Sequence, residues 1–321
     1  MLCVHFAFAQ ATSADSTSKS GAAAADSSSL KIKTENKLSI VGLLLTHYAL
    51  RNSKSLHDWP FFAFAVPAWS SAVKVRKDVN PFLSVKTSAV NDWNFAGVGI
   101  KLDASLELIH LLELGMQGTV GTALNYGETA TFMGVYDPEK RDYHQDYFFT
   151  EYTYGLQYHA SVTLPLLAFL PKSRWTKIIL KANGEYAYSA YTNADDGEVW
   201  KAGNENQVNG SKYKCGLTLI YMLPSERFPM AMLAGGVSGF KHEYEFDEAY
   251  RDYNPAFKTC SITPMLSVNI SEKWKGLLMA AISRDRKFEQ RHYESSEEIL
   301  QKQVGAEWNL KTILFIATRE F

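Results

Sequence analysis

No run of about 18 consecutive apolar residues occurs in this chain, so a membrane-spanning helix is excluded. Charge of one sign is missing too. Lys and Arg number 33 against 34 Asp and Glu, and no block of basic residues forms an arm, which removes nucleic acid as an expected partner. Cysteine is scarce: Cys3, Cys215 and Cys260 make neither a disulfide framework nor a zinc-type pairing. The contexts KYKCGLTL and FKTCSITP put Cys215 and Cys260 on apolar strand faces as small hydrophobes. There is no Gly-rich phosphate loop, nucleophile elbow or fixed-period repeat, so no cofactor is expected.

What the chain does have is aromatic residues, 17 Tyr, 18 Phe and 7 Trp, and a hydrophobic pattern of period two. Val98, Ile100, Leu102, Ala104, Leu106 and Leu108 alternate with Gly99, Lys101, Asp103, Ser105 and Glu107. The next segment sets Leu112, Leu114, Met116 and Val120 against Glu113, Gln117 and Thr119. Further along, Tyr152, Tyr154, Leu156 and Tyr158 oppose Thr153, Gln157 and His159, and Leu180, Ala182, Tyr186 and Tyr188 oppose Lys181, Asn183 and Glu185. Such strands have one apolar and one ionic face. In a soluble barrel the apolar face points inward; in a barrel immersed in lipid it points outward.

Connection lengths alternate as well. Short links are expected at Arg76 to Asn80, Ile109 to His110, Pro165 to Thr176, Leu223 to Arg227 and Ser271 to Lys273. Long polar links are expected at Gly127 to Tyr147, Asn193 to Gly210, Glu245 to Pro255 and Glu289 to Lys302. Counting the segments between them gives about twelve strands, an even number that brings both ends of the barrel chain to one side. Between Leu310 and Ile313 the phase slips, and Trp308 and Phe315 can share a face only if a bulge intervenes.

The chain closes with TILFIATREF, a β-rich segment ending on Phe321. This ending resembles the C-terminal insertion signal of bacterial outer-membrane β-barrels, except that Arg319 stands where that class usually carries an apolar or aromatic residue. The opening MLCVHFAFAQA resembles the tail of an export signal. The resemblance implies an all-β fold, a transmembrane antiparallel up-and-down barrel in the bacterial outer membrane. Residues 1–11 are then a signal remnant, 12–37 a disordered lead-in and 38–321 the barrel. It also implies outer-membrane lipid and the barrel-assembly machinery as partners, the latter through Phe321, with a homo-oligomer or envelope complex as a further possibility.

The expected inner surface carries Lys101, Asp103, Glu107, Glu113, Lys177, Lys181, Glu185, Lys212, Lys214 and Glu307, with Lys86, Lys241, Asp285 and Lys311 beside them. Both signs are present, so these groups either line a water-filled pore or pair and plug it. The lysines 177, 181, 212 and 214 could attract anionic solutes. Tyr126, Tyr152, Tyr154, Tyr186 and Tyr188 are expected in an outer aromatic girdle, Trp175 and Trp274 in an inner one. His159 and Ser161 share a strand face as in some outer-membrane lipid hydrolases, but alternation turns them inward, away from lipid, and no enzyme is expected. Asp142, His144 and Asp146, like the acidic segment Asn193 to Glu198, read as hydrated loop edges, and no metal is expected. The expected function is a porin-like channel for small hydrophilic solutes; a plugged envelope scaffold is the alternative.

Overall fold

The computed structural model describes residues 30–46, 61–94, 97–123, 133–140, 142–145, 150–169, 171, 177–202, 205–242, 245–289 and 298–320. Sixteen strands are numbered in chain order. Twelve close into an antiparallel barrel: β1 (Leu30–Thr46), β2 (Phe61–Asn80), β3 (Leu83–Asn94), β4 (Gly97–Leu108), β5 (Leu112–Ala123), β8 (Thr153–Pro165), β9 (Ile178–Tyr191), β12 (Gly210–Met222), β13 (Met230–Phe240), β14 (Thr259–Asn269), β15 (Trp274–Phe288) and β16 (Gln303–Glu320). Each pairs with its neighbours in the chain, and β1 closes on β16, with Lys37 opposite Glu320 and Leu45 opposite Thr312. The others, β6 (Met133–Asp137), β7 (Asp142–His144), β10 (Trp200–Ala202) and β11 (Glu205–Gln207), make a small sheet inside two long connections.

Alternation sets the sidedness. Leu102 and Leu114 are 59% and 43% exposed on the outer surface, whereas the Lys101 and Glu113 side chains turn inward and keep 17% and 34% of their surface. Ile100, Leu106, Met116, Val120, Leu156, Leu217, Leu233 and Phe315 continue the exposed apolar wall. Apolar outside and ionic inside is the reverse of a water-soluble barrel and is the arrangement that lipid demands. The chain is therefore a transmembrane β-barrel of the outer-membrane type.

The strands meet in tight turns at the end that carries Leu30 and Glu320, hereafter the terminal end. Ile109, His110 and Leu111 connect β4 to β5; the Leu111 N–H donates to Leu108 O at 3.0 Å, and the two central residues of that turn, Ile109 and His110, both have positive φ (53° and 56°). This is the primed geometry that matches the twist of a hairpin. Between β2 and β3 the turn falls at Pro81 and Phe82, where the Phe82 N–H donates to Asn80 Oδ1 at 2.8 Å. That corrects the expected link at Arg76 to Asn80: these residues finish β2, and Arg76 and Asp78 point inward.

β1 begins at Leu30, so the wall takes in the last eight positions of the expected lead-in. The segment LKIKTEN is polar in composition yet alternates, with Leu30 and Ile32 exposed outside and Lys31, Lys33 and Glu35 on the ionic side. Near the other end of the chain, β16 holds the bulge its phase slip requires: Ala281 faces Thr312 while Ile282 faces Leu310, leaving Lys311 unmatched. Trp308 and Phe315 both end up outside.

Candidate functional site

The inner face carries a chain of ionic contacts from strand to strand. Lys31 reaches Asp78 (3.2 Å), which also receives Arg76 (2.8 Å) and the Ser84 hydroxyl (2.7 Å). Arg76 continues to Glu107 (3.3 Å), a carboxylate shared with Lys86 and His110. Lys86 bridges on to Glu113 (3.0 Å), and His159 Nε2 lies 3.9 Å from Glu113 Oε1 and 3.8 Å from Asp103 Oδ2. Lys101 pairs with Asp92 at 2.9 Å. The ladder thus crosses β1, β2, β3, β4, β5 and β8.

Glycine makes one crossing possible. Gly115 faces inward opposite His159, and a Cβ there would overlap the imidazole and crowd Ser105. The bare backbone lets the ring lie over β5 and reach the carboxylates on either side.

Beyond β8 the inner row continues by register: His159 opposes Glu185, and Glu185 opposes Lys214. Lys181 stands between Thr163 and Thr218, and Lys212 Nζ lies 4.5 Å from the Phe240 ring centroid. Glu307 faces Asp285 across β15 and β16, and Lys311 reaches Asp285 at 3.2 Å. Lys177 is the outlier, exposed just ahead of β9 rather than within the wall. Lys241 is a correction. It follows β13 on the outer side, where Nζ donates to the Tyr186 hydroxyl at 3.3 Å and covers that ring. Lys241 keeps the phase of Leu233 and Val237, the outward-facing positions of β13, so the strand's own alternation carries it outside.

A second ionic group escaped notice because it falls in the presumed lead-in. Glu35 accepts Lys33 (2.9 Å), Lys37 (3.2 Å) and Lys74 (2.9 Å). The alternation of LKIKTEN was the available signal. Next to it the inner wall turns apolar: Val41, Leu43, Ala68, Leu314 and Ile316 are buried against one another across β1, β2 and β16.

The end opposite the termini is built differently. Tyr136 and Tyr143, Val199 and Val208, Phe246 with Tyr250 and Tyr253, and Ile299 come from four long connections and bury one common core against Phe240 and Phe288. Backbone bonds tie the parts together, Tyr136 N–H to Val199 O (2.8 Å) and Asp247 N–H to Gly197 O (3.2 Å). Gly197 has φ 88°, and a side chain there would strike Asp247. Arg286 stacks over Tyr253 at 4.1 Å and donates to Asn254 O at 3.0 Å. Burial, with Asp247 and Glu198 close by, pushes the Tyr250 phenol above its ordinary value. In the turn after β6, the Lys140 backbone and ammonium hold Asp137 below the usual carboxylate range. Asp142 and His144 lie in β7, and Glu198 accepts the Asp195 N–H at 2.8 Å within the acidic segment. Among the described residues no group of three or more His, Cys, Asp or Glu is placed to hold a metal.

On the outer wall Tyr152, Tyr154 and Tyr188 are exposed near the loop end, Tyr186 lies half-buried under Lys241, and Trp274 opens β15 at the terminal end. Tyr126, Trp175 and Phe321 lie outside the described residues.

No family model matches this sequence, and no curated protein does. Among solved structures it is similar in shape to an outer-membrane channel from Pseudomonas putida F1 (12% identity, 94% of this chain and 100% of that one, TM-score 0.43). It is also similar to the NanC porin (9%, 88% and 98%, TM-score 0.37) and to an anion-selective porin from Comamonas acidovorans (7%, 92% and 100%, TM-score 0.35).

Proposed function

We propose that this barrel is a porin-like channel of the bacterial outer membrane that passes small hydrophilic solutes, its loop end facing outward and its terminal end facing the periplasm. The single observation behind this reading is the ionic inner face. Charged side chains of both signs follow one another around the wall from β1 to β12, with partners close enough to hold them in place. Such a wall solvates polar cargo and repels apolar cargo. Lys101, Asp103, Glu107, Glu113, Lys181, Glu185, Lys212, Lys214 and Glu307 set the preference among solutes in this reading, Lys177 stands at the inner mouth, and the four-connection body controls the outer mouth. Insertion through the final strand by the assembly machinery belongs to the same reading.

Reconstitution into a planar bilayer is the test. Discrete current steps, altered when Ile299→Ala loosens the loop body, are expected; a barrel that inserts but passes no current rules the channel out. A second reading, a plugged envelope scaffold, is favoured by the buried inner cluster at Val41, Leu43, Leu314 and Ile316, since side chains so enclosed leave no water beside them.

A further inference from the structure

Arg319 is the residue that departs from the resembled C-terminal pattern. In β16 it pairs with Leu38 on one side and Trp274 on the other, on the outer face of the wall, in step with exposed Phe315. A guanidinium on a lipid-facing surface is costly at mid-membrane and nearly free of cost at the interface. Its depth is therefore informative. β15 starts at Trp274, immediately after the turn Ser271–Lys273, so Arg319 sits at the rim, where tryptophan rings also settle.

There Ser271, Glu272, Lys273, Trp274 and Arg319 line an open recess of about 470 Å³. The turn is fixed: the Trp274 N–H donates to Ser271 Oγ (3.2 Å), and Trp274 O accepts from Ile270 and Ser271 N–H (3.0 and 3.1 Å). On the membrane side of this rim the surface changes character. A methyl group added at Gly276 would stand 3.2 Å from Ile270 Cδ1 and 3.2 Å from the Phe315 ring, so these two exposed side chains close over the buried Gly276 and form one apolar surface above the cations.

We propose that this rim binds one glycerophospholipid, its phosphate held by Arg319 and Lys273 beside the Trp274 ring and an acyl chain laid over Ile270 and Phe315. Arg presents a fork suited to phosphate oxygens, Lys adds a point charge, and the apolar surface begins where an acyl chain would leave the headgroup. Free inorganic phosphate shares the headgroup chemistry but has nothing to place on the apolar part.

The test uses the purified full-length barrel in detergent, exposed to limiting palmitoyl-oleoyl phosphatidylglycerol, with retained lipid counted by native mass spectrometry. Wild type is expected to retain the lipid, and Arg319→Gln and Lys273→Gln each to lower retention about tenfold, the effect of losing one charge-assisted hydrogen bond. Lys273 lies in a turn, so Lys273→Gln decides the matter if Arg319→Gln fails to fold. Equal retention by wild type and the folded variants overturns the proposal. So does displacement of the lipid by inorganic phosphate at an equal concentration, which would mean that the site reads the anion alone.

Discussion

His159 lies across Gly115, its ring filling the space that any side chain at that position would need. Gly115→Val is expected to push the imidazole away from Asp103 and Glu113 and to lower stability by about 1–3 kcal/mol, the usual cost of overpacking. The shift of the folded band on unboiled gels with temperature measures this. An unchanged midpoint would show that the ring has another resting place.

Glu107 is the hub of the ionic ladder, and its loss leaves Arg76 and Lys86 facing each other without a shared anion. Glu107→Gln is expected to cost about 2–3 kcal/mol, less than a fully buried pair because both cations keep about a third of their side-chain surface. Denaturant unfolding in detergent reads the effect, and Lys101→Met, which strands Asp92 in a more enclosed pair, should cost at least as much.

Wall polarity predicts unequal responses on the two faces of β4. Leu102→Lys, near the middle of β4 on the outer face, is expected to lower stability in bilayers by about 2–4 kcal/mol. Its effect should shrink in detergent that wets the wall. Ser105→Ala, on the inner face, should change little in either medium.

The loop body should respond to alkali. A phenol with a raised pKa contributes stability that is complete below the ordinary tyrosine value of 10.0 and is lost as pH rises through the raised one. Protease cutting within residues 245–258 should therefore increase above pH 10 in the wild type and be blunted in Tyr250→Phe. Equal alkaline sensitivity in both would assign the effect elsewhere.

Most of the wall was legible because lipid imposes a strict period of two and leaves little room for exceptions. Even the irregularity at Lys311 could be read, since Trp308 and Phe315 both had to reach the outside. Residues 30–37 were harder: a strand whose ionic face is enclosed needs no hydrophobic run, so composition alone resembled disorder. The core formed by Tyr136, Val199, Tyr250 and Ile299 was not readable, because it joins isolated apolar residues from four connections with no shared period. Likewise, charge alternation listed the inner residues but not their pairing, which depends on register between strands distant in sequence.

Ser39 and Thr318 touch across the seam at 3.2 Å although 279 positions separate them. That closure has a temporal meaning. Until the last strand exists, the first has an open flank of unsatisfied amides and carbonyls, and every hairpin already made waits beside a sticky border. Ring closure in this protein therefore waits on β16, however early β1 is made.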